Sequence, residues 1–156
     1  MVDFRIGNGF DVHPWSQDTD RKLVLGGVTL DGEQGLVGHS DADVIAHACI
    51  DALLGAACLG DIGTMFPDTD NKYLLANSLD LLTQAVGACS DAGWTVVNID
   101  CTVILDKPKI LPVRDLMQSN ISEIVGAPVS VKGKRSEGVS GLNEGVRCYT
   151  VALISA

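Results

Sequence analysis

The chain has 156 residues, 46% of them hydrophobic and only 4% aromatic, with 11 basic against 20 acidic side chains and a net charge of −9. That balance argues against nucleic acid as a partner, since phosphate-backbone binding calls for a basic patch. No apolar run reaches the roughly 18 residues that a membrane-spanning helix needs, so no membrane partner is expected.

A single domain over residues 1–156 is expected, large enough to bury roughly two-thirds of its unfolded surface without disulfides. Its core must be mostly Val, Ile, Leu and Ala. The start, MVDFRIGNGF, lacks a basic stretch followed by an apolar one, so no secretory leader is expected. Cys49, Cys58, Cys89, Cys101 and Cys148 show no CxxC spacing, and each falls on an apolar face. They read as buried thiols in a reducing cytoplasm.

Strand-like segments alternate with helix-like ones, an α+β (α/β-type) pattern of about three helices and five strands. Residues 4–13 read as a first strand and 22–30 as a second. The helix over 41–59 is the clearest, with Val44, Ile45, Ala48, Cys49, Ala52, Leu53 and Ala56 at helical spacing. Ser40 with Asp43 suggests a capping box, and Gly60 a C-terminal stop. A second helix near 76–91 carries Leu75, Leu79, Leu82, Val86 and Cys89 on one face. The strand over 94–105 turns Val97, Ile99, Cys101, Val103 and Leu105 inward, and Asn98, Asp100 and Thr102 outward. Pro112 suits the first turn of a helix through about residue 125. Strands over 128–135 and 145–154 close the chain.

Asp11 and His13, two apart on a strand, share a face, and Gly7 and Gly9 remove bulk beside them. On the 41–59 helix, Asp43, His47 and Asp51 form a stripe at spacing four. A partly buried His between acids reads either as core and capping residues or as a metal ligand oriented by Asp51 or Asp43. Two histidines and one carboxylate leave a fourth position open, as in a catalytic zinc site. The glycine- and acid-rich segment 60–70 reads either as a solvated turn or as a grip for polyol hydroxyls or a cation. Lys107, Pro108 and Lys109 precede a helix start and suit a phosphate or nucleotide. The basic run from Lys132 to Arg135, ending at Glu137, suits Mg²⁺ bridging protein and diphosphate. Each basic segment reads equally as surface charge.

Together these segments resemble the 2-C-methyl-D-erythritol 2,4-cyclodiphosphate synthase family over essentially the whole chain. The resemblance is carried by GFDVH (Gly9–His13), GHSDADV (Gly38–Val44) with His47, and DALLGAACLGDIG (Asp51–Gly63). FPDTD (Phe66–Asp70) and PKILP (Pro108–Pro112) add to it. It implies a reaction in which the 2-phosphate of a cytidine-diphosphate-linked methylerythritol attacks the β-phosphorus and CMP leaves, within non-mevalonate isoprenoid synthesis. It implies zinc on Asp11, His13 and His47, and Mg²⁺ or Mn²⁺ held by Glu137. His39 and Ser40 match positions at the 2-phosphate end, with His39 stabilising the transition state. Asp61, Ile62, Gly63, Phe66, Pro67, Asp68, Thr69 and Asp70 match the polyol-binding loop. Leu105, Pro108, Lys109, Ile110 and Leu111 match the cytidine pocket, completed by Lys134, Arg135, Ser136 and Glu137. The family implies a homotrimer around a central cavity, with a four-stranded sheet per subunit and active sites between neighbours.

The resemblance breaks over 133–146. Arg135 stands where the family usually has a transition-state-stabilising Thr, and an arginine also neutralises developing charge. The stretch after Glu137 is shorter and lacks the Phe and Arg that line the family's central cavity. Two rival readings are a ligand-binding trimer without turnover and a zinc phosphoesterase using His39 or Asp61 as its base.

Overall fold

The structure, a computed structural model, describes residues 2–156. Its fold is α+β. A mixed four-stranded sheet runs in the order β1 (Phe4–Pro14), β6 (Gly145–Ser155), β4 (Thr95–Ile104), β5 (Val129–Lys134). β4 and β5 pair in parallel; the other pairs are antiparallel. One face is covered by α1 (Val44–Ala57) and α4 (Arg114–Val125), with α3 (Ser78–Asp91) packed against both helices. The short helix α2 (Ile62–Met65) follows α1, so the described residues hold four α-helices where the periodicity suggested three.

The segment 22–30 is two short strands, not one. β2 (Leu23–Leu25) and β3 (Val28–Leu30) form a separate hairpin that turns at Gly26–Gly27. That turn is held by Asp43, whose carboxylate accepts the Gly26 and Gly27 amides at 2.8 and 2.7 Å. The same carboxylate caps α1 through the Ile45 and Ala46 amides at 3.1 and 3.2 Å. Asp43 alone is therefore the N-cap, and Ser40 lies outside the capping box expected for it. α1 ends at Cys58, in a left-handed conformation with φ 58°, rather than at Gly60. Cys58 is exposed, so it departs from the four buried thiols.

Gly7 and Gly9 let α1 pack onto β1 backbone to backbone. A Cβ on either would stand 1.9 Å from a carbonyl oxygen of α1, that of Ala52 or Ala48 respectively. In β4 a register irregularity between Val96 and Asn98 changes the alternation. Val96, Ile99, Cys101 and Val103 face the core, while Val97 is turned out. The extra residue of a bulge does this, and a strict period of two does not anticipate it. Leu75 also departs from its expected apolar face: it precedes α3, with φ 57°, and is exposed.

Removing the Asp43 carboxylate strands four amides at once. Asp43→Ala is expected to lower the unfolding free energy by about 2–4 kcal/mol, from cap loss plus buried unpaired amides. Denaturant titration checks this. A loss below about 1 kcal/mol would mean that water replaces the carboxylate there.

Candidate metal centre

β1 and α1 together bring Asp11, His13 and His47 to one point. Asp11 Oδ2 lies 3.0 Å from His47 Nδ1 and 3.1 Å from His13 Nε2, and the two ring nitrogens are 3.3 Å apart. These are the described residues' one cluster of three or more His, Cys, Asp or Glu donors converging on a metal-sized space. The donor set fits a divalent cation because each ring's other nitrogen is engaged. His13 Nδ1 lies 2.6 Å from the Val37 carbonyl oxygen, which can only accept, so Nδ1 carries the proton. When the ring is neutral, as a metal ligand must be, its Nε2 lone pair then faces Asp11. His47 turns Nε2 toward the hydroxyls of Ser78 and Ser40, at 2.8 and 3.0 Å, and Nδ1 toward Asp11.

Burial favours the neutral form of Asp11, but hydrogen bonds and charge from His13 and His47 outweigh it and hold the carboxyl well below its ordinary range. Burial likewise disfavours a charged His13, and the Asp11 hydrogen bond and charge overcome it, raising the ring.

The centre opens on a cavity of about 450 Å³ whose lining includes His39, Ser40, Ile62, Gly63, Phe66 and Asp68. The loop bearing His39 and Ser40 is tied down by Arg21, whose guanidinium donates to the carbonyls of Leu36, Gly38 and Ser40. Of the other residues expected around it, Asp61 caps α2 through the Thr64 amide and Asp70 accepts the Lys72 amide. Pro67 and Thr69 share their loop but not the lining. Asp51 accepts the Ile62 amide at 2.8 Å and so fixes the α1–α2 junction instead of orienting His47. Tyr73, which stacks edge-on against Phe66, also lines the cavity, and nothing in the sequence marked it.

A second cavity, of about 250 Å³, is lined by Leu105, Pro108, Lys109, Ile110, Leu111, Arg114, Lys134 and Arg135 among others. Its two loops are stapled by Asp106, which accepts the Ser136 amide at 2.8 Å and the Ser136 hydroxyl at 2.6 Å. Ser136 is therefore buried and committed. Glu137, with φ 51°, lines neither cavity, and the two cavities share no residue.

Fold and site define an α+β protein with a three-donor metal centre, open on its fourth side, beside a substrate-sized cavity. A model of the YgbB family matches residues 4–155. The 2-C-methyl-D-erythritol 2,4-cyclodiphosphate synthase of Aromatoleum aromaticum is 51% identical over 156 residues, 97% of this chain and 93% of its own length. That of Syntrophomonas wolfei is 46% identical over 155 residues, 96% of this chain and 98% of its own. Among solved structures, the bifunctional IspDF from Campylobacter jejuni matches with TM-score 0.91 at 39% identity. The match covers 99% of this chain but 43% of that longer protein. A 2C-methyl-D-erythritol-2,4-cyclodiphosphate synthase in a CDP-bound form matches with TM-score 0.87 at 33% identity, over 96% of this chain and 99% of that one. The chain belongs to the YgbB family of 2-C-methyl-D-erythritol 2,4-cyclodiphosphate synthases, lyases acting on phosphorus–oxygen bonds.

The pKa directions set a pH dependence for metal-free protein. Lowered Asp11 contributes stability above its ordinary 3.8 that is lost as pH falls through its folded value. Raised His13 contributes stability below its ordinary 6.5 that is lost as pH climbs through its folded value. Chelator-treated protein should thus draw most from this cluster in mild acid. Zinc affinity should rise with pH over the same range, because metal and proton compete for His13. Melting curves across pH, with and without zinc, check both; a zinc affinity flat across that range would exclude His13 as a ligand.

Proposed function

We propose that this chain converts 4-diphosphocytidyl-2-C-methyl-D-erythritol 2-phosphate into the 2,4-cyclodiphosphate and CMP, with zinc on Asp11, His13 and His47. The observation that carries this reading is the convergence of those three donors in a chain of this family. The 2-phosphate oxygen forms a bond to the β-phosphorus as the bond from that phosphorus to the CMP oxygen breaks. No water is consumed, so the protein's task is to hold tethered partners in line and to neutralise charge. Bound zinc supplies a Lewis acid for phosphoryl oxygens.

His39 and Ser40, on the Arg21-held loop, bind the 2-phosphate end; Ile62, Gly63, Phe66 and Asp68 shape the polyol site. Lys109, Lys134 and Arg135 gather positive charge around the nucleotide pocket, and the solved relatives with CDP bound support a cytidine nucleotide there. Arg135 neutralises charge developing on the diphosphate. Glu137 would hold Mg²⁺ or Mn²⁺, which would offset diphosphate charge.

Two features support a homotrimer with sites between subunits. The metal and nucleotide cavities are separate within one chain. The uncovered sheet face also exposes Phe4, Ile6, Phe10, Val12, Tyr149 and Val151, a row of apolar side chains that calls for a partner. The free cysteines suit a reducing cytoplasm, and among the described residues no helix is long and apolar enough to cross a membrane.

³¹P NMR with zinc, Mg²⁺ and this substrate should show a cyclic diphosphate appearing with CMP. Open-chain phosphates with CMP would make the chain a hydrolase, and unchanged substrate a ligand-binding protein. His47→Ala is expected to abolish zinc retention by elemental analysis and, with it, CMP release; full metal content and turnover would refute the ligand set. Glu137→Gln should keep its zinc yet need more Mg²⁺ for half-maximal rate. An unchanged Mg²⁺ titration would remove Glu137 from that role.

A further inference from the structure

We propose that Asp41 and Ser78 position His47, dictating which of its ring nitrogens is bare toward the metal centre; this rests on His47 being a ligand. For Nδ1 to ligate, Nε2 must carry the ring's proton and find an acceptor. Its neighbours are two serine hydroxyls, Ser78 at 2.8 Å and Ser40 at 3.0 Å. Toward any one partner a hydroxyl can either donate or accept, so serine alone leaves the tautomer open.

Asp41 closes it. Its carboxylate takes the Ser78 hydroxyl in a short hydrogen bond, and the Ser78 amide at 3.0 Å. A carboxylate only accepts, so the single hydroxyl hydrogen of Ser78 is committed to Asp41. The remaining lone pairs face His47 Nε2, which must donate. The arrangement is rigid: Ser78 is wholly buried as the first residue of α3, and the Asp41 amide donates to the Ala76 carbonyl at 3.1 Å. Ser40 is less constrained: its hydroxyl oxygen accepts the Ala42 amide at 3.2 Å, and its hydrogen has only the Ser78 hydroxyl oxygen, at 3.5 Å, as an alternative to His47. Asp41, Ser78 and His47 thus form a chain of hydrogen bonds from the entry of α3 to the ligand set.

Asp41→Asn is the sharp test. One oxygen then remains for the Ser78 and Asp43 amides, both of which now bond the carboxylate. The new NH₂ turns toward the Ser78 hydroxyl, whose hydrogen is then free for His47 Nε2, at 2.8 Å a nearer acceptor than Ser40 at 3.5 Å, and the wrong tautomer is favoured. Zinc affinity by chelator competition is expected to fall about 10–100-fold. In zinc-loaded wild-type protein, ¹H–¹⁵N NMR should show a His47 Nε2–H protected from exchange, and Asp41→Asn should remove that protection. Ser78→Ala, which leaves Ser40 as acceptor, should weaken zinc by about tenfold and also expose that proton. A purely structural role would lower the melting temperature of metal-free protein and leave zinc affinity and the Nε2–H signal unchanged. Affinities within about twofold of wild type in both variants would overturn the proposal. His47→Ala in the same competition separates the two readings. Should it keep zinc, the ligand assignment falls; should it lose zinc while Asp41→Asn does not, only the positioning role falls.

Discussion

α1 lies against β1 at a distance set by two missing side chains. Ala48 faces Gly9 across the contact, and the residue before Ala48 is His47, while Asp11 stands two residues beyond Gly9 on the same strand face. The 3.0 Å separation of His47 and Asp11 follows from this approach of helix backbone to strand backbone. Any Cβ at Gly9 would have to displace the Ala48 carbonyl, and the displacement would pass directly to the neighbouring ligand. Close packing at the strand is thus the constraint under which the metal centre exists, because interiors at native density transmit a shift instead of absorbing it.

Around that contact, carboxylates act mainly as acceptors for backbone amides. Asp43 joins the β2–β3 hairpin to α1, Asp51 fixes α2, Asp41 holds the start of α3, and Asp106 ties together the loops of the second cavity. In a chain of net charge −9 this use of acids is economical: each satisfies helix-end or turn amides that have no partner of their own. Asp11 alone among the acids is aimed at two histidines. Its carboxylate has the acidity of a group surrounded by prospective positive charge, and a metal ion supplies that charge more fully than two rings can.

The two cavities divide the chemistry in space. The three-donor centre and the loop bearing Ile62, Gly63, Phe66 and Asp68 lie at one place, the lysines and arginines at another, and a substrate that needs both must find them on adjoining surfaces. The apolar outer face of the sheet gives the means for that adjacency under the proposed trimer. β1 carries Asp11 and His13 on its inner face and Phe10 and Val12 outward, so the metal-type donors and the apolar outer face occupy alternate residues of one strand.

The sequence by itself determined the alternation of strands and helices, the long apolar α1, and the pairing of Asp11 with His13. These follow from periods of 2 and 3.6 acting within a few residues. It also marked His47, through an unusual stripe of ionisable groups beside an apolar face. The partners of that stripe were decided elsewhere. Asp43 and Asp51 sit on the His47 face in any ideal helix, yet their carboxylates bond the Gly26–Gly27 turn and the Ile62 amide, donors that only the folded chain brings near. The hairpin within 22–30, the bulge in β4 and the exposed Cys58 were likewise settled by local backbone geometry that side-chain patterning does not encode. Ser78 lies 31 residues from His47 and carried no sequence signal at all. A hydrogen bond across that separation depends on where α3 docks against α1, and docking is fixed by the shape of the core and not by any spacing along the chain.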